Sequence, residues 1–136
     1  MAKYFSMAEM LASNDACRYN IPNKPGSNEI RNLQWLMDEC LDKIRQAWGQ
    51  PIIVDSGYRS LALNKVVGGA PNSQHTKGEA ADIKAINVAD NQKLFECILQ
   101  CGVAFDQVID EYHYRWIHIS CKYQNYGNRR KINHLG

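Results

Sequence analysis

From Ser73 to Asp82 the chain reads Ser-Gln-His-Thr-Lys-Gly-Glu-Ala-Ala-Asp, and no other stretch constrains the fold as much. It sets an imidazole, His75, and a carboxylate, Asp82, seven positions apart, with Gly78 and two alanines between them. Gly78 lets the backbone bend there without a steric penalty. Residues 80 to 85, Ala-Ala-Asp-Ile-Lys-Ala, predict a strand. Alternation puts Ala80, Asp82 and Lys84 on one face and Ala81, Ile83 and Ala85 on the other. The small residues around Asp82 leave room for an ion and a water. Zinc takes nitrogen and oxygen ligands of this kind, and catalytic zinc sites usually combine three protein ligands with one water. His75 and Asp82 supply two of the three. A fold that uses them must bring the third from a separate element.

The best third ligand is His118, in Trp116-Ile117-His118-Ile119-Ser120. The run Phe105 to Glu111 predicts a strand, Tyr112 to Arg115 a turn, and Trp116 to Cys121 a returning strand, so the two form a hairpin. On the return, Ile117 and Ile119 share one face while Trp116, His118 and Ser120 share the other. Glu111 ends the outgoing strand, where the hairpin register can bring it near the ion. It is the candidate general base, taking a proton from water and passing it to a leaving amine. Asp110 is the alternate. His113 is assigned to the turn as decoration, and Tyr58, Tyr112 and Tyr114 are candidates to line a cleft.

Taken together, Ser73, His75, Gly78, Ala80 and Asp82, followed much later by the strand histidine His118, resemble the hallmark of the M15 zinc peptidases. That family includes D-Ala-D-Ala carboxypeptidases and phage endolysins. Upstream, Gly57-Tyr58-Arg59-Ser60 is similar to the family's Gly-Tyr-Arg-Ser segment, and the resemblance spans roughly residues 50 to 122. It implies one Zn2+ per chain held by His75, Asp82 and His118. It also implies hydrolysis of peptide bonds in peptidoglycan stem peptides, as a carboxypeptidase or an endopeptidase. Arg59 would contribute to the substrate site, since a guanidinium grips a carboxylate through two parallel hydrogen bonds. Ser73 would touch substrate or orient a ligand, with an ordinary turn role equally open, and Trp116 would wall the cleft. Glu111 matches the family's acidic residue before the last histidine only loosely. Many members carry that residue three positions before the histidine, where this chain has Arg115.

The remaining elements support this arrangement. Ser6 with Glu9 three residues later is a capping box for a short helix from Met7 to about Ala12. Ile30, Leu33, Met37, Cys40, Leu41, Ile44 and Trp48 repeat at helical spacing, predicting one long helix from Ser27 or Asn28 that stops at Gly49. Ile52 to Ser56 is a β-branched strand, and Ser60 caps a short helix through about Val66. Asn87 caps a helix from about Val88 to Gln100. The expected architecture is α+β: a small antiparallel sheet with helices packed on one side and a zinc site in a cleft on the sheet. The family likeness makes it hedgehog/D-Ala-D-Ala-peptidase-like. At 136 residues we expect one domain, residues 1–136, with a core of about 27–122 and a basic tail over 123–136.

Composition narrows the partners. Hydrophobic content of 45% and charged content of 22% are those of a globular domain. No run has the roughly 20 apolar residues of a membrane span, and Glu9 interrupts what would be the apolar part of a secretory signal. The expectation is synthesis in the cytoplasm, action on the cell wall after release, and a monomer. Five cysteines without a signal argue for reduced thiols. Cys97 and Cys101, four apart on a helix, lack a second donor pair and are assigned to core packing. A net charge of +2 gives no reason to expect nucleic acid. The basic stretch from Lys122 to Lys131 is assigned to a solvated tail. Two competing readings stand beside the peptidase. One is a catalytically idle module of the same fold, binding wall peptide or a protein through its cleft. The other is a small nucleic-acid binder using the tail.

Overall fold

Alternation of side chains decides how this sheet is used. The computed structural model describes residues 2–135; Met1 and Gly136, the ends of the expected domain, lie outside it. Five strands, β1 (Ile52–Ser56), β2 (Ala80–Ala85), β3 (Gln107–Glu111), β4 (Trp116–Ser120) and β5 (Lys131–Leu135), form one sheet in the order β1-β2-β4-β3-β5. All neighbours are antiparallel except β3 and β5, which run parallel. Ala81, Ile83 and Ala85 of β2, Val108 of β3, and Ile117 and Ile119 of β4 enter the buried core. Against them pack Leu33 and Leu36 of α3 (Ser27–Leu36), Ile44 of α4 (Asp42–Trp48), and Leu94, Phe95 and Ile98 of α6 (Asn91–Gln100). Each large side chain buried there contributes on the order of 1.5–3 kcal/mol. The fold is thus α+β with a mostly antiparallel sheet, and its residues of the other parity are left to face a cleft.

Two short helices open the chain. The first, α1 (Met7–Leu11), carries the expected capping box between Ser6 and Glu9. A second, α2 (Asn14–Arg18), is capped by Ser13 and was not anticipated. The long helix is not continuous. Between α3 and α4 the turn widens over Met37–Leu41, and the Asp42 N–H bonds to the Met37 carbonyl five residues back. Met37, Cys40, Leu41 and Ile44 are all buried in the core across this widened turn. After β1 comes α5 (Leu61–Val66), capped by Ser60 as expected.

The C-terminal stretch departs from expectation. It is not a solvated tail: Lys131–Leu135 pairs with β3 along five residues. Most β5 side chains remain exposed, so no apolar alternation announces the strand. What holds it is the backbone ladder, together with Arg129 bound to the buried carboxylate of Asp106.

Candidate metal centre

Register creates half of the site. Asp82 on β2 and His118 on β4 are direct partners across the antiparallel pair, and Ile109 of β3 flanks His118 on the other side. His75 arrives from a single 3-10 turn, Gln74–Lys77, that precedes β2. Ser73 caps this turn, its hydroxyl accepting from the His75 N–H at 3.2 Å, and Gly78 ends it with a φ of 75°. A side chain at Gly78 would also collide with the Glu29 carbonyl of α3. Gly57 has a different reason to be glycine. A Cβ there would run into the Met10 backbone, to which the Tyr58 N–H donates at 2.7 Å. This close approach fixes the Gly57 carbonyl, which accepts from His75 Nδ1 at 2.7 Å.

The hydrogen bonds around the two imidazoles define where their lone pairs point. A carbonyl only accepts, so His75 carries its proton on Nδ1 and presents a bare Nε2. His118 Nε2 lies 3.0 Å from Gln74 Oε1, which leaves its Nδ1 bare. Both bare nitrogens lie 3.4 Å from one oxygen, Asp82 Oδ1. That oxygen is buried and makes no hydrogen bond. Three acceptors aimed at one point repel one another unless a cation lies between them. The spacing suits that cation. Donors at about 2.0–2.1 Å from a tetrahedral zinc are about 3.4 Å apart. His75, Asp82 and His118 are the one such group of three donors among the described residues.

The centre opens into a cleft of about 790 Å³ lined by Arg59, Ser73, Glu111, Tyr112 and Trp116 as well as the three donors. Glu111 pairs with Trp116 across the β3–β4 hairpin, and the indole N–H donates to Glu111 Oε2 at 2.9 Å. Asp110 has the opposite parity. It is buried on the far face and paired with His134 of β5, so it cannot serve the cleft. Arg59 stands half-buried at the end of β1, with its backbone N–H bonded to the His75 carbonyl at 3.1 Å. Burial pulls its guanidinium below the ordinary value, while Asp82 and Glu111 pull the other way. Its buried Nε has no hydrogen-bond partner within the protein.

Other expectations fared unevenly. Of the three tyrosines only Tyr112 lines the cleft, with its ring on Trp116 at 4.9 Å. Tyr58 is buried with its hydroxyl toward the Lys24 carbonyl, and Tyr114 packs edge-on against Phe95. His113 sits in the exposed hairpin turn at a φ of 57°. Cys97 on α6 and Cys101 just past its end are half-buried, whereas Cys40 and Cys121 are the thiols fully inside. Sequence reasoning missed Gln74, Glu79, Asp106, Lys122 and Arg129, all at or beside the cleft. Only Gln74, next to His75, carried a signal that could have been read.

Comparison with known proteins agrees with this geometry. A family model described as peptidase M15 matches residues 3–120. A zinc D-Ala-D-Ala carboxypeptidase from Streptomyces albus G is 50% identical over 46 residues, which make up 33% of this chain and 18% of that protein. The matched segment is thus less than a fifth of that relative's length.

Proposed function

This chain belongs to the M15 peptidase family, and from that premise we propose that it is a zinc peptidase acting on peptidoglycan stem peptides. The observation that carries the reading is the convergence of His75 Nε2 and His118 Nδ1 on Asp82 Oδ1, in an open cleft that also holds the Glu111 carboxylate. His75 Nε2, Asp82 Oδ1 and His118 Nδ1 would hold the ion. Zinc in such a site polarises a carbonyl and lowers the pKa of water from 15.7 to about 7.

The protein's own groups supply the rest. Glu111 takes the proton of the attacking water on its carboxylate. It returns that proton to the leaving amine as the peptide bond breaks. The Trp116 indole fixes one oxygen of Glu111 and leaves Oε1 for this work. Arg59 grips a substrate carboxylate or carbonyl with donors that the protein leaves unused. Ser73 lines the same wall, although its hydroxyl already caps the His75 turn. Substrate identity rests on the family and on the carboxypeptidase relative; the bond cut is D-Ala-D-Ala or another stem-peptide bond.

Incubating the protein with a defined stem pentapeptide and reading the products by mass spectrometry tests this. Cleavage that stops on chelation and returns with zinc supports the proposal. Intact peptide in the presence of bound zinc would favour the catalytically idle alternative.

A further inference from the structure

Behind His118 lies a chain of hydrogen bonds that the hydrolytic scheme does not use. Asp106 stands just before β3 and is fully buried. Its carboxylate accepts from Arg129 three times: the backbone N–H at 3.0 Å, Nε at 3.0 Å and Nη2 at 2.9 Å. It also accepts from Gln74 Nε2 at 2.6 Å. The other end of that amide, Gln74 Oε1, lies 3.0 Å from His118 Nε2. Each link constrains the next. An ionised carboxylate held by a guanidinium can only accept, so Gln74 must turn its NH2 toward Asp106. Its carbonyl oxygen then faces His118 and can only accept. His118 must therefore carry its proton on Nε2 and leave Nδ1 bare toward Asp82.

We propose that Gln74 and Asp106 are positioning residues that fix the tautomer and ring orientation of His118, with Arg129 anchoring the relay. The C-terminal segment is thereby part of the metal centre's support. Lys131 N–H bonds the Asp106 carbonyl at 2.8 Å, and Asp106 N–H bonds the Ser120 carbonyl at 2.8 Å, so the relay spans β4, β3 and β5. The inference rests on His118 being a ligand. Groups that hydrogen-bond a ligating imidazole typically change metal affinity 10- to 100-fold when removed.

The test begins with metal-free protein. Long-range 1H–15N correlation spectra of the histidine rings should show His118 with its proton on Nε2. An Nδ1-protonated His118 in the wild type would overturn the proposal without any variant. Gln74→Met keeps the side-chain length but removes the amide, and leaves the Asp106–Arg129 pair in place. It should mix the His118 tautomers and weaken zinc binding about 10- to 100-fold. His75, held separately by Gly57, should keep its Nδ1 proton and serve as the internal control. A variant with unchanged His118 signals and zinc affinity within twofold of wild type would also overturn it. Wild-type protein with the expected tautomer but no zinc affinity would leave the relay standing and remove the metal reading.

Discussion

Asp82 Oδ1 and His118 Nδ1 face each other across β2 and β4 at 3.4 Å, and the oxygen is buried without a hydrogen bond. The sheet register keeps these two acceptors opposite each other, because moving either strand by one residue would turn every side chain to the wrong face. The metal-free protein therefore carries an unfavourable contact that a cation removes.

It follows that zinc should stabilise the fold. Binding to the native state alone adds about 2.7 kcal/mol at a hundredfold excess over Kd, enough to raise Tm by several degrees. Differential scanning calorimetry should show that rise in the wild type and its absence in His118→Ala. An equal rise in both would place the zinc elsewhere.

Glu111→Gln should bind zinc as tightly as wild type while losing turnover. General-base contributions are typically 10²- to 10⁴-fold, so kcat should fall by at least about a hundredfold. Asp110→Asn should leave kcat nearly unchanged, since Asp110 is paired with His134 on the opposite face. Steady-state kinetics on a cleaved peptide, with zinc content measured alongside, checks both.

Arg59→Ala should weaken transition-state binding by roughly 1.5–3 kcal/mol, the range for a hydrogen bond to a charged group. The loss should be larger for peptides with a free C-terminal carboxylate than for their amides. Equal loss on both would assign Arg59 to a carbonyl.

Arg129→Ala should destabilise the fold by about 1–3 kcal/mol, a modest figure because the guanidinium is itself half-exposed while Asp106 is buried. The effect depends on pH in a definite direction. Burial disfavours the Asp106 charge, but Arg129 and Gln74 outweigh it and hold the carboxyl below its usual value. A carboxyl with a depressed folded value contributes stability above the unfolded value, about 3.9, and loses it as pH falls through the folded value. The gap between wild type and Arg129→Ala should thus be full at neutral pH and shrink in acid below about pH 4. A gap independent of pH would remove the ion pair from the account.

Much of this molecule could be read in its sequence, and the reason is periodicity. Ile117 and Ile119 on one face of a strand, with Trp116 and His118 on the other, specify both the core and the cleft. The Ser6–Glu9 capping box and the Ser60 cap are local, and local signals survive into the structure. What stayed hidden depended on partners far apart in the chain. Asp106 and Arg129 are 23 residues apart, and neither is marked by spacing. The β5 strand pairs through backbone with exposed side chains, so its pattern looks like a tail. The widened turn at Met37–Leu41 leaves the apolar stripe at its regular spacing, so the stripe gives no sign of it.

Zinc-edge X-ray absorption on protein loaded with one equivalent tests the central claim most directly. We predict a shell of four nitrogen and oxygen donors at about 2.0–2.1 Å, with the outer-shell signature of two imidazoles, reduced to one in His118→Ala. A sulfur shell near 2.3 Å, or imidazole scattering unaltered by that substitution, would contradict it.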